Sequence, residues 1–258
     1  MKSHKQLPKF IINNFKNKDD RVFYYDFKAD TIKECSPRTL GTEDNYFSEE
    51  TEEKLNKEVE TSFSTLINKI KKRDFDKLTI TESDDNVAIK YLDCSMMRSN
   101  FAYDVFVYNS YVARFFPKQD INNFLVENNL NNKDNKTISY LKDRVINVIV
   151  NNSKQSFITS RNGYAIISIN KIECVIIPFD PFLAILLVPS DYPDKHKILL
   201  NNDEDEIKLI NEQIASNEYT YNRDFIISID KNELLRLQNV IEYKKECLNN
   251  IRNEVLLE

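Results

Sequence analysis

Glycine and histidine are scarce in this chain of 258 residues, which contains two glycines, two histidines and no tryptophan. Phosphate-binding loops need several glycines within a few residues, so that backbone N–H groups can approach the phosphate. A P-loop and a dinucleotide-binding fingerprint are therefore excluded. A histidine-rich metal site is excluded as well. A Ser-His-Asp triad would depend on His4 or His196, and both lie in polar segments that we expect to be exposed.

Closely spaced cysteines and long uninterrupted hydrophobic runs are also missing. The four cysteines are far apart in sequence, which favours separate reduced thiols over a disulfide framework. The most apolar stretch, residues 174–189, is interrupted by Asp180 and two prolines and is too short for a membrane-spanning helix. The basic N-terminus has no apolar segment behind it to complete a signal peptide. The sequence therefore predicts a soluble, cytoplasmic protein.

Apolar residues make up 41% of the chain and charged residues 30%, and the charges are interspersed rather than grouped. This composition is sufficient for a hydrophobic core and argues against intrinsic disorder. The net charge of -5 argues against a large basic surface that binds duplex DNA. Nucleic acid could then be bound only through a local basic patch. We expect one compact unit over residues 1–258. The alternative is a subdivision into a mainly helical part, 1–153, and a β-rich part, 154–258.

Hydrophobic periodicity predicts an α+β fold that begins with an N-terminal β-hairpin, whose first strand is the aromatic run at 21–27. A central helical layer follows. Its first helix starts at Ser48, where acids fill the first turns and lysines the last, as the helix dipole favours. Further helices are predicted over roughly 84–115, 118–130 and 137–152.

Beyond residue 154, a succession of short β-like runs predicts a C-terminal antiparallel meander. A helix over about 204–217 and a strand at 224–229 come next. Asp230 then caps a closing helix that extends to about 255. One face of this closing helix carries apolar residues at helical spacing, namely Leu234, Leu237, Ile241 and Leu248.

The stretch FITSRNGYAI, residues 157–166, places Asn162-Gly163 between two strand-like runs. Both residues tolerate positive φ, so a β-hairpin is our main interpretation. The alternative is that its polar residues belong to a site. We keep Ser160 and Asn162 as catalytic candidates. Arg161 is a candidate contact for phosphate or carboxylate, because its guanidinium presents a fork of donors.

Six segments occur in a characteristic order: LPKFIINNF, RVFYYDF, NKEVETSFSTLINKI, a segment ending in SMMRSN, FITSRNGYAI with IPFDPFLAILLVP, and NEQIASNEYTYNRDFIIS. Together they cover nearly the whole chain, and their order resembles a bacterial family catalogued as domain of unknown function 4238 (DUF4238). The resemblance implies no particular fold or reaction, but some members are linked to bacterial defence against phage. It therefore implies an intracellular anti-phage protein, acting as a sensor or interaction component with a phage or host protein as partner.

The resemblance also singles out individual positions. Glu60 and Arg98 fall where the family tends to keep a glutamate and an arginine. An ion pair between the two long helices is our favoured interpretation of these two residues, and catalysis is the alternative. The family's usual Thr-Ser-Asp-Asn-Pro reads Thr-Ser-Arg-Asn-Gly at 159–163, and Lys5 stands where a histidine is usual. If the family uses an acid at this turn, Arg161 cannot replace it, since a guanidinium has no lone pair to offer.

A metal-dependent nuclease is the second functional hypothesis. Glu206-Ile207-Lys208 is similar to half of such a site, in which acids such as Asp203 and Glu206 would bind Mg²⁺. Acids at a predicted helix start also have an ordinary explanation, because they complement the helix dipole. Mg²⁺ is the one cofactor considered, and only under this hypothesis.

Tyr219, Tyr221 and Arg223 are candidate contacts for nucleic acid. In this loop-like segment two aromatic side chains lie close in sequence to a basic side chain, as in proteins that stack nucleobases. Packing in the core or an interface is the alternative for these tyrosines. A third functional hypothesis is a mobile-element protein with no role in defence. No membrane partner is expected. The sequence does not decide between a monomer and a homo-oligomer.

Overall fold

The computed structural model describes residues 2–4, 7–72, 75–131, 141, 143–221 and 224–255, with side chains from residue 7 to 246 within those ranges. The helices are α1 (Lys9–Ile12), α2 (Glu49–Leu55), α3 (Thr61–Lys71), α4 (Glu82–Met97), α5 (Asn100–Asn109), α6 (Lys118–Asn131), α7 (Glu204–Tyr221) and α8 (Lys231–Val255). A π-helical turn at Asn56–Glu60 joins α2 to α3, and 3₁₀ turns cover Asn13–Phe15 and Val112–Phe115.

The strands are β1 (Lys2–His4), β2 (Val22–Asp26), β3 (Thr31–Cys35), β4 (Thr42–Asp44), β5 (Arg144–Asn151), β6 (Thr159–Ser160), β7 (Ala165–Ile169), β8 (Ile172–Asp180), β9 (Leu183–Pro189), β10 (Ile198–Asn201) and β11 (Phe225–Ser228). This mixture of helices and sheets confirms the predicted α+β class. Strands β1 and β4 form a short antiparallel pair apart from the two larger sheets.

The larger sheet has five strands in the order β10-β5-β9-β8-β7, and only its β10–β5 pair is parallel. Its antiparallel strands β7, β8 and β9 are the predicted meander. Along β9, Leu183, Ile185 and Leu187 face the core built with α2, α3 and α4, while Ala184 and Leu186 face the core built with α7 and α8. Because helices cover both faces, the strand is apolar at every core position. None of the described helices has the length and apolarity to cross a bilayer.

The second sheet is antiparallel, in the order β3-β2-β11-β6. Strands β2 and β3 form the predicted N-terminal hairpin, with Val22 opposite Cys35 and Asp26 opposite Thr31. Strand β11, from the C-terminal part of the chain, pairs with β2. Strands from before and after residue 153 therefore share this sheet.

Local capping explains the helix starts that the sequence predicts. The Ser48 hydroxyl accepts a hydrogen bond from the Thr51 N–H at 3.2 Å and begins α2. The Asp230 carboxylate accepts one from the Asn232 N–H at 2.8 Å and begins α8. Of the apolar stripe predicted on α8, three residues are buried, and the side chain of Leu248 lies outside the described residues.

Two of the predicted helices are wrong. The helix predicted over 84–115 is interrupted at Arg98, because the Ser99 hydroxyl accepts from the Ala102 N–H at 3.0 Å and starts a new helix, α5. Where a helix was predicted over 137–152, residues 144–151 form strand β5. Its run of Val and Ile is β-branched and packs between β9 and β10. Residues 137–140 and 142 lie outside the described part of the chain.

The predicted FITSRNGYAI hairpin is also wrong. Strand β6 pairs with β11, with Thr159 opposite Ile227, whereas β7 pairs with β8 in the other sheet. A turn does form, since the Gly163 N–H donates to the Ser160 carbonyl at 3.0 Å. The turn carries the chain from one sheet to the other, so the tertiary structure assigns its two flanking strands to different partners.

Candidate functional site

The crossing between the two sheets buries four consecutive polar residues: Thr159, Ser160, Arg161 and Asn162. The glycine that follows has φ +74°, and a Cβ there would lie 2.9 Å from the Leu7 Cδ1 and 3.0 Å from the Tyr91 hydroxyl oxygen. Only glycine fits this position without strain. The Asn-Gly signal therefore predicts the turn correctly. In the structure, however, Gly163 allows the turn to pack closely against Tyr91 of α4 and does not connect two paired strands.

Arg161 is 2% exposed and contacts the Asp224 carboxylate. Its Nε and Nη2 have no hydrogen-bond partner among the described residues. Burial lowers the pKa of Arg161, and the neighbouring Glu218 and Glu43 carboxylates act in the opposite direction. The carboxylate that this guanidinium contacts comes from the protein itself, and its role as a contact for a phosphate or carboxylate ligand stays a prediction.

Glu218 is the functional candidate that the sequence analysis missed. It lies on α7, is 1% exposed, and points toward the buried turn. Burial raises its pKa to about 8, and the Arg161 charge, the Asn162 backbone N–H and the Ser160 hydroxyl lower the pKa only in part. Neither carboxylate oxygen has a well-formed hydrogen bond to a described residue. At neutral pH the carboxyl group is therefore mainly protonated.

A signal for Glu218 does exist in the sequence. The buried residues of α7 recur at helical spacing, at Ile207, Ile210, Ile214 and Ala215, and Glu218 continues the same stripe. An acid at a position that a helical stripe assigns to the core needs a partner or a function.

An apolar cleft of about 700 Å³ ends at Glu218 and Asn162. The end of α4, the whole length of α5, helix α6, strand β7 and helix α7 form its walls. Its apolar lining includes Met96, Met97, Phe101, Val105, Leu125 and Ile166. The Asn162 Oδ1 is buried and has no hydrogen-bond partner among the described residues. The cleft therefore combines an apolar wall with acceptor atoms at its inner end.

Helix α5, which forms the outer wall, is unusually exposed. None of its side chains, all of which are described, is buried. Phe101, at the rim, is half exposed and packs edge-on against the equally exposed Tyr221, with ring centroids 5.6 Å apart. Beyond α5, the apolar surface continues through Tyr111 and Phe115.

The predicted Glu60–Arg98 ion pair is confirmed, with 2.8 Å between the Arg98 Nη1 and the Glu60 Oε1. The Arg98 side chain is 2% exposed, and its carbonyl accepts from the Tyr46 hydroxyl at 3.1 Å. Arg98 stands between Met97 and Ser99, which both line the cleft. The ion pair therefore fixes the corner from which α5 projects.

The acids considered for a metal lie at the start of α7. The Asp203 Oδ1 accepts from the backbone N–H of Asp205 at 2.8 Å and of Glu206 at 3.3 Å. The Glu206 Oε2 accepts from the Asn201 side chain at 2.9 Å. Asp203 thus caps α7, and Glu206 binds the Asn201 side chain. Among the described residues, no group of three or more His, Cys, Asp or Glu side chains could hold a metal ion.

Two aromatic candidates for nucleic-acid contact belong to the last turn of α7 and not to a loop. Tyr219 packs against Phe27, with ring centroids 5.8 Å apart, while Tyr221 lies at the rim of the cleft. Two positions apart on a helix, the two rings face different directions. Arg223 lies outside the described residues.

The segment around His196 is exposed, as predicted, since Lys195 and Lys197 are both exposed. The histidine itself has a partner. Its side chain is 27% exposed, and its Nε2 lies 2.7 Å from the Asp85 Oδ2. Asp85 also accepts from the Ile146 N–H at 2.8 Å, so this pair joins α4 to strand β5. The side chain of His4 lies outside the described residues.

Comparison with known proteins identifies the family. Residues 5–232 match the family described as Protein of unknown function (DUF4238). The chain belongs to DUF4238. No curated protein and no solved structure matches the chain. The matched range of this DUF4238 chain contains Glu60, Arg98, the buried turn and Glu218, so the whole candidate site lies within the family region.

Proposed function

We propose that this DUF4238 protein is a sensor or interaction component of bacterial anti-phage defence, which acts in the cytoplasm through the α5 cleft. The observation that carries the binding role is the cleft itself, about 700 Å³ in volume, apolar along its walls and lined at one end by the buried polar side chains of Glu218 and Asn162. Ligand sites in proteins combine an apolar wall and a few polar groups in this way. The defence role comes from the family, some members of which are linked to resistance against phage.

The surface around α5 supports a role in binding. Tyr108 is 80% exposed and both Tyr111 and Phe115 are 72% exposed. Contiguous exposed apolar side chains lower solubility and mark sites of interaction in soluble proteins. A partner or ligand that covers this surface would remove apolar area from water.

Binding fits the buried turn better than hydrolysis does. Ser160 is buried, and its hydroxyl donates to the Tyr164 carbonyl at 3.1 Å. The Ser160 hydroxyl thus donates to a backbone carbonyl and not to a base that could activate it. Of the two acids that a nuclease would use, Asp203 caps α7 and Glu206 accepts from the Asn201 side chain.

The test is phage plating on a host that expresses the protein. Val105→Arg places a charge in the cleft, and Asp104→Arg on the same helix serves as the matched control because Asp104 is exposed and does not line the cleft. We expect the wild-type protein and Asp104→Arg to reduce plaque number, and Val105→Arg to lose the effect at an equal soluble level.

Two results contradict the proposal. If no phage in a broad panel is restricted, the defence role fails and the mobile-element hypothesis gains. If Val105→Arg still protects while Asp203→Asn with Glu206→Gln abolishes protection, the nuclease hypothesis replaces binding in the cleft.

A further inference from the structure

We propose that the α5 cleft binds a small amphipathic cation, whose ammonium group contacts Glu218 and Asn162 and whose apolar body lies along α5. The inference rests on the proposed function, because it concerns the same cleft, and it adds the chemical class of the ligand. Three features carry it: the kind of polar atom at the inner end, the local charge, and the size of the space.

The unpartnered polar atoms that line the cleft are acceptors once Glu218 is ionised. The unpartnered Nε and Nη2 of Arg161 are donors, but Arg161 does not line the cleft. The Asn162 Oδ1 and both Glu218 oxygens are buried and lack a well-formed hydrogen bond to any described residue. Both residues line the cleft. Buried acceptors of this kind are normally satisfied in the functional state. An ammonium group offers three donors and no acceptor, so it matches this set better than an anion does.

The local charge favours a cation. Arg161 is the positive group that acts on Glu218, but it already contacts Asp224 and lies in the field of Glu43. With Glu218 ionised, three carboxylates surround one guanidinium. An anion in the cleft would add to this excess of negative charge, whereas a cation compensates it.

The size and lining of the cleft fit a small molecule. A volume of about 700 Å³ lies within the usual range of small-ligand sites. Met96, Met97, Phe101 and Val105 supply an apolar wall, and methionine side chains adapt to ligands of different shape. An alkyl or aryl group several carbons long fills this part.

Binding of a cation is linked to proton release. The groups that face Glu218 are the Ser160 hydroxyl, the Arg161 guanidinium and the Asn162 N–H from the turn, and the phenol of Tyr164, which directly precedes β7. The cleft-lining residues of α4 and α5 are uncharged. A bound ammonium favours the ionised carboxylate, so Glu218 loses its proton to solvent when the cation binds below its pKa.

The experiment is isothermal titration of the full chain with three matched probes: octylammonium, octanol and octanoate. We expect octylammonium to bind at least tenfold more tightly than octanol, and octanoate to bind more weakly than octanol. Below pH 8, the affinity for octylammonium should rise by up to about tenfold per pH unit, as the ionised fraction of Glu218 rises. The affinity for octanol should not rise with pH.

Two variants locate the effect. Glu218→Gln keeps the shape of the neutral carboxyl, so it should fold, bind octanol as wild type does, and lose both the preference for octylammonium and its pH dependence. Val105→Trp fills the apolar part of the cleft and should weaken the binding of octylammonium and octanol alike.

The outcomes separate this inference from the proposed function. Equal affinity for octylammonium and octanol, both weakened by Val105→Trp, would overturn the cation while the cleft stands as a binding site. If no probe binds although Val105→Arg abolishes phage protection, the inference fails and the proposed function survives. An unchanged charge preference in Glu218→Gln would overturn the assigned contact.

Discussion

Replacing Arg98 by methionine tests whether the buried ion pair holds the corner between α4 and α5. The Arg98 side chain is 2% exposed and Glu60 is 18% exposed, so Arg98→Met leaves a largely buried carboxylate without its nearest cation. Removing one partner of a buried ion pair costs about 3–5 kcal/mol. Glu60 retains some contact with water, so we expect the lower end, about 3 kcal/mol. In a chain of this size that corresponds to a fall in Tm of about 6–12 °C.

The assay is urea and thermal unfolding, followed by circular dichroism, of four variants: Arg98→Met, Glu60→Met, the double variant and a control. Lys54→Met is the matched control, because the Lys54–Glu50 pair is exposed and its loss should cost less than about 1 kcal/mol. The double variant Glu60→Met/Arg98→Met removes both charges and should be more stable than Arg98→Met alone.

The reasoning is refuted in either of two ways. Arg98→Met could cost no more than Lys54→Met, which would mean that the buried pair contributes nothing measurable. Alternatively, the double variant could be as unstable as the sum of the two single variants, which would show no coupling between Glu60 and Arg98.

Further predictions concern other parts of the site and its surroundings. Because burial raises the pKa of Glu218 to about 8, the folded protein holds a proton that the unfolded chain releases, so wild-type stability should fall between about pH 5 and pH 8. Glu218→Gln should remove this fall in the free energy of unfolding, measured with urea at each pH. If the stability of wild type and variant changes with pH in parallel, the raised pKa of Glu218 is refuted. Gly163→Ala should cost about 2 kcal/mol or more, since φ is +74° and Leu7 stands 2.9 Å from the new Cβ; an unchanged Tm would disprove the close contact. His196→Ala should cost about 1–3 kcal/mol by leaving the buried Asp85 with one partner fewer, measured by thermal unfolding. Phe115→Ser should change unfolding by less than about 0.5 kcal/mol, and a larger loss would show that this exposed ring is packed.

Local signals were sufficient for a large part of the fold. The hairpin of β2 and β3, the start of α2 at Ser48 and the start of α8 after Asp230 all follow from short-range alternation and capping. The Glu60–Arg98 pair could be predicted because each residue is a charge on an otherwise apolar helical stripe. Such a charge, if buried, needs a partner of opposite sign.

The errors occur where tertiary contacts outweigh local preference. The segment 144–151 fits a helix by its apolar content, yet it becomes strand β5 because β9 and β10 offer backbone partners on both sides. At Ser99 a single capping hydroxyl divides the predicted helix, and serine is too common for this to stand out in sequence.

The sequence alone determined the α+β class and excluded nucleotide loops and histidine-rich metal sites, because these depend on composition, periodicity and spacing. The tertiary structure alone decided that the Asn-Gly turn joins two sheets, that Arg161 meets Asp224, and that Glu218 lies at the inner end of an apolar cleft. The β6–β11 pairing, the Arg161–Asp224 contact and the approach of Glu218 to Asn162 each join residues more than 50 positions apart in the chain. Burial and the pKa of a carboxyl group are set by neighbours in space, and local sequence carries no direct record of them.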